Sequence, residues 1–289
     1  MNPMDLLLLK RYLDGLYHKF DIKYLSSDPL EFVHKFHSQK DQEIIGLITA
    51  SLAYGRVDLI LNSAAHILSI MDDKPYNFIK SFDPKWDSKK FRGFVHRFNN
   101  GEDMACFIYL IKQVIDSYGS ILDFFKKGYR DEDENIASAL TKFVKGFLEM
   151  DCSPFYNGNG LPKDAGVRFF LPSPEGGSAC KRLNLFLRWM VRRGDSIDFG
   201  IWKDISPSKL IVPLDTHVAR ISRHLGLTKH KNPNWRMAAD ITANLKKLDP
   251  NDPVKYDFPL CRLGIMNYCP KKKDHKKCKA CDLRPVCQL

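Results

Sequence analysis

Residues 212–227 read VPLDTHVARISRHLGL, and they set the class of fold. Asp215 follows Pro213 and Leu214 and is placed to accept a backbone N–H at the start of a helix over 216–225. Behind it, Val218, Ile221 and Leu225 recur at helical spacing and form one apolar stripe, with Arg220 and Arg223 off it. The same period runs through residues 4–20, 41–53, 57–71, 103–117, 134–149, 180–192, 234–247 and 254–267. Alternating runs of the strand type are nearly absent, so the expected class is all-α. Residues 151–178, rich in Pro, Gly, Asn and Ser, and residues 194–213 read as long loops.

A capping aspartate is structural more often than catalytic. Yet a carboxylate fixed at the mouth of a helix can also stabilise positive charge developing in a transition state. His217 is given no chemistry. Upstream, PSPEGGSACKRLN (172–184) runs from a turn into a helix. Gly176 and Gly177 allow close backbone approach, and N–H groups at the helix start can meet a phosphate. Lys181 falls in the first turn, where the helix dipole disfavours a cation. A lysine so placed can act as an amine nucleophile toward a sugar carbon, although most lysines are surface residues.

Four of the eight cysteines stand in CPKKKDHKKCKACDLRPVCQL (269–289), spaced C-x8-C-x2-C-x5-C. Cys269, Cys278, Cys281 and Cys287 form a thiolate set suited to zinc or to an iron–sulfur cluster. Only Cys278 and Cys281 make a short pair, with single ligands arriving on longer arms at each end. That asymmetry favours a 4Fe–4S cubane, with zinc as the alternative. Lys271, Lys272, Lys273, Lys276 and Lys277 fill the loop between the first two ligands and offer phosphate contacts. Cys106, Cys152 and Cys180 read as packed thiols, and Cys261 as core.

Size allows one large domain or two small ones in 289 residues. A formal net charge of +11 favours a polyanionic partner, nucleic acid before an anionic membrane surface. No apolar run approaches a membrane span, and the opening MNPMDLLLLKRYL lacks the features of a signal peptide, so a cytoplasmic protein is expected. In that compartment clustered cysteines read as metal ligands rather than disulfides.

The Gly-rich turn with its lysine, then LDTHV, then the cysteine run occur in the order of the helix-hairpin-helix DNA glycosylases. The chain resembles that endonuclease III-like superfamily over roughly residues 40–60 and 170–289, and an uncharacterised bacterial family related to it. The resemblance implies base excision repair of double-stranded DNA carrying a damaged base or an abasic site, by a monomer. Lys181 matches the Schiff-base lysine, Asp215 the invariant aspartate, and the four cysteines the cluster ligands. In SLAYGRVD (51–58), Tyr54 and Arg56 match the loop that probes the base stack. The implied architecture is a six-helix barrel lobe over 30–193 and a cluster-bearing lobe of 1–29 and 194–289. Lys181 and Asp215 would then face each other across a groove between them.

The chain departs from that pattern in places. Gly177-Ser178-Ala179 replaces the usual Gly-x-Gly, the first cysteine interval is longer, and residues 75–170 exceed the usual segment. The Lys181–Asp215 interval points to an oxidised purine first. Within 93–104, GFVHRFNNGEDM, His96 and Arg97 face either DNA or the protein's own core. Two other readings stay open, a non-catalytic DNA-binding protein and a zinc-stabilised interaction protein.

Overall fold

The computed structural model describes residues 3–26, 28–157 and 160–289. The chain is predominantly helical. In order, the α-helices are α1 (Pro3–Lys19), α2 (Gln39–Leu52), α3 (Val57–Ile70), α4 (Pro75–Ser81), α5 (Pro84–Asp87), α6 (Gly101–Tyr118), α7 (Ile121–Lys126), α8 (Ala137–Leu148), α9 (Lys181–Val191), α10 (Thr216–His224), α11 (Trp235–Lys246), α12 (Asp257–Ile265) and α13 (His275–Lys279). Between α5 and α6 lie two strands of two residues each, β1 (Val95–His96) and β2 (Asn99–Asn100). They pair antiparallel, Val95 opposite Asn100 and His96 opposite Asn99. Among the described residues no helix is long and apolar enough to cross a membrane.

The chain divides into two compact units, residues 26–176 and residues 1–25 with 177–289. In the unit of residues 26–176, α2 is buried along its whole second half, Thr49 and Ser51 included, beyond the broad apolar face its sequence shows. α6 starts in a capping box. Asn100 accepts from the Asp103 N–H at 3.0 Å, and the Asp103 carboxylate accepts from the Asn100 N–H at 3.0 Å. Phenylalanine fills the core here: Phe107 stacks on Phe170 at 5.0 Å, and Phe124 meets Phe147 edge-on at 5.2 Å.

In the other unit the core gathers Trp189, Trp202, Ile221, Ile241, Tyr256 and Leu260. The compact units divide at 176/177, whereas the lobe boundary expected from sequence is 193/194. The reason is α9. Its Arg188 pairs with Asp198 at 3.2 Å and with Asp257 at 2.5 Å. Its Arg192 pairs with Asp195 at 2.5 Å, and with Asp198 and Asp252 at 2.9 Å each. These buried guanidinium groups bind the helix to residues 195–257. Residues 194–213, a loop in sequence, are packed. The Phe199 and Trp202 N–H groups donate to Trp189 O and Met190 O at 2.8 Å each, and Ile205, Leu210, Ile211 and Val212 are buried.

Candidate functional site

α10 begins as its sequence requires. Asp215 Oδ1 accepts from the Val218 N–H at 2.6 Å, capping the helix. Its other oxygen accepts from the Cys261 thiol on α12 at 3.2 Å. The carboxylate is thereby aimed by two helices. They meet closely because α12 carries Gly264. A Cβ there would lie 2.5 Å from His217 Cβ, so only glycine lets α10 approach so near. Cys261, expected in the core, is half-buried and serves the aspartate instead.

Lys181 opens α9 and is half-buried. The turn before it takes left-handed backbone at Gly177 (φ 74°) and at Cys180 (φ 47°). Gly176 and Gly177 are exposed, and Gly177 O accepts from the Trp235 N–H at 3.1 Å. The Cys180 N–H donates to Ser178 Oγ at 3.1 Å, and Asn184 Nδ2 returns to Ala179 O at 3.0 Å.

Two further side chains tie the lysine and the aspartate to one neighbourhood. Burial lowers the pKa of His217, whose imidazole also feels Asp215, Arg220, Lys271 and Lys181. Burial pushes the Asp257 carboxyl up to about 7 against the pull of Arg188; the Asp215 charge adds to the rise and Lys181 opposes it. Its Oδ1 has no hydrogen-bond partner among the described residues. Lys181 and Asp215 lie in the same compact unit.

The four C-terminal cysteines converge. Cys269, Cys278, Cys281 and Cys287 line one cavity of about 30 Å³ with His224, Tyr268, Pro270, Arg284 and Leu289. Its wall is almost entirely carbon and sulfur, the surroundings that suit a soft metal rather than a hard cation. Burial raises the thiol pKa of Cys269 and Cys281, and the neighbouring thiols add to it. Among the described residues no three His, Cys, Asp or Glu side chains are placed to hold a single metal ion. Several bonds fix the loop. Arg220 Nη2 donates to Cys269 O at 2.6 Å, the Gln288 N–H to His224 O at 2.7 Å, and Lys19 of α1 pairs with Asp282 at 2.6 Å. Of the five lysines, Lys271, Lys272, Lys273 and Lys276 are exposed. Lys277 is half-buried and donates to Asn267 O at 3.1 Å.

In the other unit, Tyr54 is half-buried. Its hydroxyl lies 2.8 Å from His96 O and 2.7 Å from Asn99 Oδ1. Arg56 is exposed and pairs with Asp58 at 2.7 Å. His96 is buried, its Nδ1 2.8 Å from Ser63 Oγ, so of the two residues read as facing either DNA or core it takes the core and Arg97 is exposed.

Residues 28–266 match the family described as a protein of unknown function, DUF2400. The chain belongs to that family. No curated protein and no solved structure matches. The DUF2400 match includes Lys181, Asp215, Asp257 and Cys261, and ends ahead of Cys269. Asp257 and Cys261 are the residues that sequence reading missed. They stand four apart on α12 and so share a face, which was the one signal available.

Proposed function

We propose that this DUF2400 protein is a helix-hairpin-helix DNA glycosylase with AP-lyase activity, acting in base excision repair on double-stranded DNA. The reading is supported by Asp215, whose carboxylate is aimed by the Val218 N–H and the Cys261 thiol, and by Lys181 at the start of α9 in the same compact unit. An amine beside an aimed carboxylate is what cleavage of an N-glycosidic bond by an amine requires. The target nucleotide is flipped from the stack, which exposes C1′. The Lys181 nitrogen bonds to C1′ as the bond to the base breaks. The base leaves with the electron pair and takes up a proton. Asp215 stabilises the positive charge that develops on the sugar. Opening of the sugar ring gives an imine on Lys181, and loss of a C2′ proton then expels the 3′ phosphate.

Cys269, Cys278, Cys281 and Cys287 would hold a 4Fe–4S cluster. A cubane spreads four ligands around a void, and these thiols ring a cavity. When bound, the cluster supplies cross-links within a loop already tied to Arg220, His224 and Lys19. The exposed lysines of that loop contact DNA phosphates.

Borohydride reduction on abasic and lesion-containing duplexes tests the chemistry. The wild-type chain should become covalently linked to DNA, and Lys181→Ala should abolish the adduct. Failure of the wild type to form an adduct on any of these duplexes would remove the lyase mechanism.

A further inference from the structure

The β1–β2 hairpin has an unusual tip. Its two-residue turn is Arg97–Phe98, and Arg97 takes φ 55° at the first turn position. Two-residue hairpin turns with positive φ there normally use glycine, asparagine or aspartate. A long side chain kept in strained backbone points to a use for that side chain.

Phe98 is 70% exposed. Its ring nevertheless has a fixed support. Phe169 meets it edge-on at 5.5 Å, Tyr54 meets Phe169 at 4.9 Å, and His96 meets Tyr54 at 4.6 Å. The Arg97 guanidinium lies 5.4 Å from the Phe98 ring centre. Behind the tip the hairpin is braced. Asn99 Nδ2 donates to Gly166 O at 2.8 Å and to Asp103 Oδ2 at 3.2 Å. Gly55 leaves room for Arg97, since a Cβ there would stand 2.6 Å from Arg97 Cδ. The α2–α3 loop, which carries Arg56, therefore lies directly against the tip.

Charge narrows the partner. Residues 88–100 carry Lys89, Lys90, Arg92 and Arg97; Lys90 is paired with Asp87 at 2.8 Å, whereas Arg97 is exposed at the tip. Rigid exposed aromatics beside arginine and lysine suit nucleobases stacked on rings and phosphates on cations. At the tip itself the cation beside the exposed ring is Arg97.

We propose that Arg97 and Phe98 form a wedge that enters duplex DNA where the base stack is interrupted, Phe98 stacking on the exposed base and Arg97 binding a phosphate or base edge beside it. This rests on the reading that DNA is the partner, and it assigns lesion search to a hairpin distinct from the Lys181 site. Fluorescence titrations would use two short duplexes, one intact and one with a tetrahydrofuran abasic analogue next to 2-aminopurine. Wild type should prefer the abasic duplex and quench the 2-aminopurine. Phe98→Ala should reduce that preference about 10-fold, in the range of one lost base–aromatic stack. Its affinity for intact duplex should stay within about twofold and its thermal midpoint should not change, because the ring is exposed. Arg97→Gly should raise the thermal midpoint, since glycine relieves the turn, and weaken the abasic preference several-fold. If Phe98→Ala keeps the wild-type preference and quenching, the wedge is refuted while DNA binding stands. If wild type binds both duplexes equally, the wedge is also refuted. If it binds neither, the DNA reading falls and the wedge with it.

Discussion

Asp257→Asn isolates the buried carboxyl that pairs with Arg188. Two guanidinium groups, Arg188 and Arg192, face four carboxylates in this network: Asp195, Asp198, Asp252 and Asp257. With carboxylates in excess, those that gain least keep a proton. Burial holds Asp252 up at about 6 and Asp257 at about 7, from an ordinary value of 3.8. Between 3.8 and about 7 the folded chain retains a proton on Asp257 that the unfolded chain has released. Stability therefore falls as pH rises through that window, by up to about 1.4 kcal/mol per pH unit. Integrated from pH 5 to pH 8, the loss is roughly 2–3 kcal/mol. Asparagine keeps an acceptor for Arg188 and cannot titrate. The variant should thus gain roughly 2–3 kcal/mol relative to wild type between those pH values. Asp252, His217 and His224 titrate in both chains and cancel in the difference. Urea unfolding followed by tryptophan fluorescence reads the right unit, because Trp189 and Trp202 are fully buried in it and Trp86 of the other unit is exposed. Parallel pH profiles for the two chains would refute the argument that Asp257 holds a proton near neutral pH.

Arg192→Met should cost about 3–5 kcal/mol in the same unfolding assay, because it leaves Asp195 and Asp252 without their guanidinium partner and Asp198 with Arg188 alone. A midpoint unchanged from wild type would mean that the network contributes no stability. Protein purified without oxygen should carry about four irons per chain and absorb near roughly 400 nm. One zinc per chain in place of iron would refute the cubane and leave a structural zinc site.

The helices were legible because their signals are local. Val218, Ile221 and Leu225 mark the buried face of α10 from spacing alone, and Asp215 announces its start by residue type. The convergence of the four cysteines was legible for a similar reason, since they sit within one short segment, although His224 of α10 completes the cavity wall. The unit boundary was not legible. It depends on Arg188 and Arg192 meeting aspartates as far along the chain as Asp257, and an arginine on a helix reads as solvated until its partners are known. Cys261 was read as core for a related reason: its role depends on α12 lying against α10, and Gly264 alone gives no sign of that. The β1–β2 hairpin escaped detection twice over. Strands of two residues are too short to show alternation, and the turn lacks the glycine, asparagine or aspartate that would have marked it. Arg97 in a left-handed turn and Asp257 in a buried wall both go against local preference. Sequences that specify a fold keep such conflicts few, and those they keep concentrate where function overrides packing. The two positions hardest to read from sequence are for that reason the ones whose substitution says most about what this chain does.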